Sequence, residues 1–269
     1  MPSFAKRYGW VLFVVLSAAT AMADDADSQA KLAKQLSNPV APLAVLPFQF
    51  NYDRGYGPEK GDQLQLNIQP IIPLNLNADW NLISRTIVPI EQQSDIAGPS
   101  GDQFGLGDTL LSLFFSPVDS GVDGLIWGAG PIFLLPTATD DLLGTEKWGA
   151  GPTGVIAFEH GPWTTGLLAN HVWSYAGADD RSRISTTMTQ PFISYNTRSA
   201  WTFSLTSEAE YDWVGEDWIV PLDFTVGKLV MAGKQPISLT LGARYWATAP
   251  ANGPEGWGLR AVVSFVFPK

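Results

Sequence analysis

The feature of this sequence that most restricts its fold is a strict two-residue alternation between Ala200 and Trp213. Trp201, Phe203, Leu205, Ser207, Ala209, Tyr211 and Trp213 share one parity, while Thr202, Ser204, Thr206, Glu208, Glu210 and Asp212 share the other. Successive side chains of a strand point to opposite faces, so this segment is a strand with one nearly apolar face and one wholly polar face. The pattern recurs between Gly61 and Ile72, where Leu64, Leu66, Ile68, Pro70 and Ile72 oppose Gln63, Gln65, Asn67 and Gln69. It recurs again between Gln235 and Thr248, where Ile237, Leu239, Leu241, Ala243 and Tyr245 oppose Ser238, Thr240, Gly242 and Arg244.

Read by this rule and by its turn signals, the chain predicts strands near Ala44 to Asp53, Asp62 to Pro73, Asp79 to Ile90, Phe104 to Ser116, Gly124 to Pro136 and Trp148 to Glu159. Six more follow near Pro162 to Tyr175, Ile184 to Asn196, Ala200 to Trp213, Asp217 to Val230, Gln235 to Thr248 and Gly256 to Phe267. The expected fold is therefore all-β: a transmembrane antiparallel barrel of about 12 strands, each near the length that crosses a bilayer obliquely. An even count brings both chain ends to the periplasmic side. Short connections such as His160-Gly161 then fall on that side, and long ones such as Thr137 to Lys147 on the other. Pro117 to Asp123 is long for a periplasmic turn and Val214 to Glu216 short for an outer loop.

The N-terminus fits export into such a membrane. Lys6 and Arg7 precede an apolar run from Trp10 to Leu16 and the small residues Ser17 to Ala23, with Ala21-Met22-Ala23 matching a cleavage site. The domain reading is a signal peptide over 1–23, a periplasmic N-terminal segment over 24–42 and the barrel over 43–269. Asp24 to Ser37 predicts a short, weakly amphipathic helix that rests in the periplasm or partly plugs the lumen, ended by Pro39 and Pro42. No second uninterrupted apolar stretch reaches the roughly 20 residues of a spanning helix. A net charge of -10 disfavours nucleic acid as a partner, and the absence of cysteine excludes disulfides, thiolate catalysis and cysteine-based zinc sites.

Two further residue types test the barrel. All ten tryptophans after the signal peptide lie near predicted strand ends: Trp80, Trp127, Trp163 and Trp201 at one interface, and Trp148, Trp173, Trp213, Trp218, Trp246 and Trp257 at the other. Pro70, Pro131, Pro191 and Pro221 instead fall inside predicted strands. In a sheet without edges each must occupy a bulge or forgo a ladder hydrogen bond.

Several stretches also resemble the outer-membrane β-barrel family named for the meta-pathway of phenol degradation, a family of transporter-like barrels. They are Lys34-Gln35-Leu36-Ser37-Asn38-Pro39, Asp79-Trp80-Asn81-Leu82-Ile83-Ser84-Arg85-Thr86, Leu135-Pro136-Thr137-Ala138-Thr139-Asp140-Asp141, Gly161-Pro162-Trp163 and Ala169-Asn170-His171-Val172-Trp173-Ser174. The resemblance covers nearly the whole mature chain and implies an outer-membrane barrel that passes small, including aromatic, molecules. It carries over no functional residue. The final face Leu259, Ala261, Val263, Phe265 and Phe267 is similar to the aromatic-ended strand that barrel-insertion machinery reads, here followed by Pro268-Lys269.

No catalytic set, cofactor motif or metal-ligand spacing is read. His160 falls in a turn, and His171 and Ser174 differ by an odd offset, so they cannot meet on one strand. Gly105-Leu106-Gly107 is a fragment with no helix after it. Charge is more informative, because a charged group on the lipid face at mid-membrane costs about 2–4 kcal/mol. Arg85, Glu208, Glu210, Asp212, Asp223, Arg244 and Arg260 are therefore the candidate lumen charges, either as a structural network or as a constriction that selects solutes. Asp140, Asp141, Glu146, Asp179, Asp180, Arg181 and Arg183 belong to outer loops, where contact with calcium or lipopolysaccharide is conceivable. Expected partners are outer-membrane lipids and lipopolysaccharide, the insertion machinery and a small-molecule solute. Two functions remain open: a passive channel for small molecules, or a non-conducting structural or binding barrel with a plugged polar lumen.

Overall fold

The computed structural model describes residues 27–268, so the expected signal peptide over 1–23 lies outside the described residues. Its sheet contains β1 (Ala44–Tyr56), β2 (Gly61–Ile68), β3 (Ile71–Asn75), β4 (Trp80–Ser94), β5 (Asp102–Leu106), β6 (Thr109–Pro117), β7 (Leu125–Leu135) and β8 (Lys147–His160). It continues with β9 (Trp163–Gly177), β10 (Ser185–Asn196), β11 (Trp201–Thr206), β12 (Ala209–Asp212), β13 (Asp217–Ala232), β14 (Gln235–Thr248) and β15 (Gly256–Phe267). Every pairing is antiparallel, and β1 pairs with β15 from Ala44↔Phe267 to Tyr52↔Leu259, which closes the sheet on itself. The pairs β2–β3, β5–β6 and β11–β12 are each one crossing in two pieces, so fifteen strands make a twelve-stave barrel.

The prolines explain much of this interruption. Pro70 lies in the gap between β2 and β3, and Pro191 stands opposite the gap between β11 and β12. Pro221 sits at a register shift between β13 and β14, and Pro131 faces Pro152 across β7 and β8. A proline has no N–H for the ladder, so a closed wall places it where a bond is already missing.

Parity along the staves puts the apolar face outward. Leu64, Ile72, Phe203, Leu205, Phe224 and Leu241 are all exposed on the exterior, as a surface meant for lipid requires. Trp80, Trp148, Trp163, Trp173, Trp201 and Trp257 are exposed near the two rims. Trp246 departs from the sequence expectation of an interfacial belt. It shares the inward parity of Arg244, stacks over that guanidinium at 5.1 Å and donates its Nε1–H to Asp53 Oδ1 at 2.9 Å. Its position near a strand end was legible, but its side was set by parity.

Of the three apolar clusters that lie inside the barrel among the described residues, Ile132, Leu134 and Val172 sit nearer one mouth, and the other two lie at the end where β1 begins and β15 finishes. A helix over residues 27–35, with the chain up to Leu43, crosses this mouth. On one side Ala33, Ala41 and Leu43 bury against Ala200, Leu229 and Val266. On the other, Val40 buries against Ile83, Phe114, Val155 and Leu168. Lys34 pairs with Glu159 at 2.8 Å, and the Asn196 amide donates to Ser37 Oγ at 3.1 Å. Of the two placements expected for this segment, the structure has it inside the lumen.

Candidate functional site in the barrel lumen

Three constructions occupy the lumen: the N-terminal segment at one mouth, an inward loop at the other, and a belt of polar groups between them. The loop over residues 136–146 joins β7 to β8 and bends inward because Asp108 holds it. Asp108 Oδ2 accepts from the Thr145 backbone N at 2.7 Å and from Thr145 Oγ1 at 2.6 Å, and its Oδ1 accepts from Ala138 N at 3.2 Å. Asp108 is available for this because it lies in the gap between β5 and β6, free of the ladder. Gln93 Nε2 donates to the Leu142 carbonyl at 3.2 Å, and Leu143 is buried as a result.

The most connected part of the belt is an ionic cluster on β1, β13, β14 and β15. Arg244 donates through Nε to Asp223 Oδ1 at 3.0 Å, through Nη1 to Asp53 Oδ2 at 3.2 Å and through Nη2 to Glu208 Oε2 at 3.3 Å. Arg260 meets Glu208 at 2.9 Å and Asp223 at 3.3 Å, and donates through Nε to Asn51 Oδ1 at 2.8 Å. Register explains the meeting: Asp223 pairs with Arg244 across β13 and β14, and Asn51 with Arg260 across β1 and β15. Glu208 reaches both arginines from the gap between β11 and β12. Each guanidinium presents its planar fork to more than one acceptor, which suits arginine rather than lysine at both positions.

A second polar group lies on β1, β2 and β4. Gln63 and Gln65 donate to the two oxygens of Glu91 at 3.0 Å each, and Asn67 Nδ2 donates to Gln65 Oε1 at 3.0 Å. Arg85 points into the same space, donating to Gln69 Oε1 at 3.1 Å. Above the N-terminal segment these groups border a cavity of about 450 Å³, into which Glu208 and Glu210 also point. Its apolar lining comes from Ile87, Leu110, Leu134, Leu143, Val172 and Met188, interspersed with Asn170, Thr186 and Gln190.

Of the residues singled out from sequence, Arg244, Arg260, Glu208 and Asp223 come together, Glu210 and Arg85 line the adjoining cavity, and Asp212 goes elsewhere. Asp212 accepts from the Val214 backbone N at 2.9 Å and shapes the tight connection between β12 and β13 at the barrel rim. An even offset from Glu210 fixes its face but not its height. Asp53, Glu91 and Asp108 were missed. Asp53 lies on the polar parity of a predicted strand and was legible; Glu91 lies one residue past the predicted end at Ile90, because β4 runs on to Ser94; and Asp108 depends on a break in the wall that no periodicity announces. Loop residue Arg181 donates to the Asp141 carbonyl at 2.7 Å and stands 3.5 Å from Glu146. No cluster of metal-ligating side chains is present among the described residues.

His171 points outward and Ser174 inward, as their odd offset requires. The hydroxyls near the imidazole come from the neighbouring strand: Thr187 Oγ1 lies 2.7 Å from Nδ1 and Ser185 Oγ lies 3.4 Å from Nε2. Around them β9 and β10 pair without interruption from Ser185↔Trp173 to Tyr195↔Trp163.

No family model matches this sequence, and the search of curated proteins finds no relative. Solved structures do resemble it. An outer membrane channel from Pseudomonas putida F1 superposes with a TM-score of 0.66 and 16% identity, covering 84% of this chain and 95% of that one. The NanC porin superposes with a TM-score of 0.52 and 11% identity, covering 82% and 98%. The chain has the closed antiparallel barrel fold of these outer-membrane proteins.

Proposed function

We propose that this protein is an outer-membrane channel for small molecules whose path runs through the barrel lumen and is closed, in the conformation described, by residues 27–43. The observation that carries this reading is the arrangement along the axis: a segment seated in one mouth, a solute-sized cavity and a belt of charged side chains beneath an inward loop. Such a belt is how pores select solutes, and the neighbours in structure include a porin and a channel. The finer reading follows the sequence resemblance: membership of the barrel family named for the meta-pathway of phenol degradation, export through a cleaved signal peptide, and passage of small, including aromatic, molecules. The lumen charges serve as the selecting groups, and no enzymatic role is assigned.

The test is conductance and liposome swelling of refolded protein, full-length after signal cleavage and with residues 27–42 deleted. The deletion variant is expected to pass solutes at a higher rate than the full chain. Silence from both, with heat-modifiable gel mobility showing folded barrels, overturns the channel reading. It would favour the second one, a non-conducting binding or structural barrel, for which the burial of Ala33 and Val40 in the mouth already speaks.

A further inference from the structure

One stretch of the barrel wall lacks ladder bonds on both of its sides. The crossing made by β11 and β12 breaks at Ser207 and Glu208, and the strand on either side presents a proline there, Pro191 on β10 and Pro221 on β13. Toward β10, the Pro191 carbonyl accepts from the Ser207 backbone N at 3.2 Å and from Thr206 Oγ1 at 3.1 Å, but proline has no N–H to return. Toward β13, the pairing lapses between Thr206↔Asp223 and Glu210↔Ile219. Ser207 is 8% exposed and its Oγ has no hydrogen-bond partner among the described residues, so the closed wall bears the cost of a buried, unsatisfied hydroxyl. Parting the staves here gives that hydroxyl a partner.

Cavities approach the break from both faces of the wall. On the lipid-facing side a dent of about 330 Å³ has Pro191, Ile193 and Leu205 among its sides and reaches Gly166, Phe192 and Thr206 at its floor. On the lumen side a cavity of about 310 Å³ lies against the mouth segment, touching Leu36 and Ser37, and it is lined again by Phe192 and Thr206. These two residues pair across β10 and β11 and have inward parity, so the outer dent reaches through the sheet to side chains of the lumen face. It does so where residue 166 is glycine, since a Cβ there would meet the tip of the Phe192 ring at 2.6 Å. The break lies midway along the crossing from Trp201 to Trp213, at the level of the lipid hydrocarbon.

We propose that this break is a lateral portal through which small uncharged molecules with an apolar body pass between the lumen and the lipid hydrocarbon, with Phe192 as the movable partition. The portal rests on the lumen being a solute path, as proposed above, and adds to the axial route that residues 27–43 close a second one through the wall. The dent selects the class: its sides are largely aliphatic and its polar side chains are hydroxyls, which suits an aromatic ring bearing at most a hydroxyl, while a charged group is disfavoured at this depth. The pairs Ile193↔Leu205 and Thr189↔Ala209 hold the staves on either side, so opening is confined to the break. Glu208 has already left the plane of the wall, drawn into the lumen by Arg244 and Arg260.

Photolabelling of the refolded full-length barrel in lipid vesicles tests the portal, with phenyl(trifluoromethyl)diazirine, which dissolves in the bilayer, and its carboxylate derivative, which stays in water. The readout is label on the peptide carrying residues 27–43, which lies inside the lumen and out of contact with lipid. The uncharged probe is expected to label Leu36 and Ser37 there. Pro191→Val, which restores a ladder N–H, is expected to lower that label at least about threefold, the change in open population that one backbone hydrogen bond supplies. Phe192→Ala, which removes the partition, is expected to raise it. Label from the carboxylate, which reports access from water, is expected to change in neither variant. A mouth segment that the uncharged probe never reaches, or reaches equally in all three proteins, overturns the portal. Heat-modifiable mobility shows which variants are folded, and the two substitutions act in opposite directions, so either one alone decides. Conductance of the same preparations separates the two proposals: a conducting barrel with equal labelling defeats the portal only, and a silent barrel with graded labelling defeats the axial channel only.

Discussion

Replacing Arg244 with methionine should destabilise the barrel in a way that one particular second substitution repairs. The wild-type guanidinium contacts Asp223, Asp53 and Glu208 and is itself 6% exposed. After its removal, Asp223 and Glu208 keep Arg260, at 3.3 and 2.9 Å. Asp53, 4% exposed, keeps only the indole N–H of Trp246 at 2.9 Å. The cost is therefore concentrated on one stranded carboxylate, and breaking a buried ion pair on one side costs about 3–5 kcal/mol. Arg244→Met should sit at the lower end of that range, because the adjoining lumen cavity gives the cluster a route to water. Asp53→Asn in the same background should restore at least half of the loss, whereas Glu208→Gln should restore little. The assay is urea unfolding of the refolded protein in lipid vesicles, followed by tryptophan fluorescence, with the four members of the Arg244/Asp53 cycle measured together. Coupling of at least about 1.5 kcal/mol is expected, within the range of contacting pairs. A loss below about 1 kcal/mol for Arg244→Met, or equal rescue by both second substitutions, would refute the argument that Asp53 is the group left behind.

Glu159→Gln removes the ion pair to Lys34 at the mouth, and as a partly exposed pair it should cost less than about 1 kcal/mol of stability while raising the frequency of openings in bilayer recordings. Asp108→Asn, which weakens the hold on Thr145, should increase proteolytic nicking of the 136–146 loop in intact cells, and unchanged nicking would show that Asp108 is not its anchor. Gly151→Val should lower refolding yield or cost about 1–3 kcal/mol, because a side chain there collides with the His171 carbonyl on the next strand. His171→Ala should leave solute passage unchanged, since the imidazole lies on the outer surface, and a changed conductance would mean that the wall transmits its effect to the lumen.

The barrel was legible because lipid and water sit on opposite sides of one strand, and a period of two records that difference at every residue. Strands such as β10 and β14 accordingly fall within a residue of their expected bounds. Other features were harder to read for identifiable reasons. A chain of single-residue choices fixes the side on which Asp212 lies, but its height depends on how many residues the rim connection consumes. Trp246 near a strand end is consistent with a lipid-interface belt by position alone, and it is the even offset from Arg244 on β14 that turns it into the lumen. The N-terminal helix had two open placements because its weak amphipathicity says that it buries one side without saying against what. Burial of Ala33 against Val266 and of Val40 against Phe114 requires partners far away along the sequence, and no local pattern contains that information.

The breaks in the wall connect these observations. A continuous stave spends its backbone groups on its neighbours and can offer the lumen only side chains standing perpendicular to the sheet. Where the ladder lapses, the chain can turn a group along the lumen axis instead. Gln69, beside the Pro70 gap, accepts from Arg85; Asp108, between β5 and β6, gathers in the loop; Glu208, between β11 and β12, bridges Arg244 and Arg260. Each gap thus supplies one of the contacts that shape the cavity. The prolines that first counted against a closed sheet are consistent with the same economy. At Pro70 and Pro191 the missing N–H weakens the wall where a polar group must leave its plane, and the barrel stays closed because the staves on either side keep their register across the gap, from Phe192↔Thr206 to Thr189↔Ala209 at the last of them.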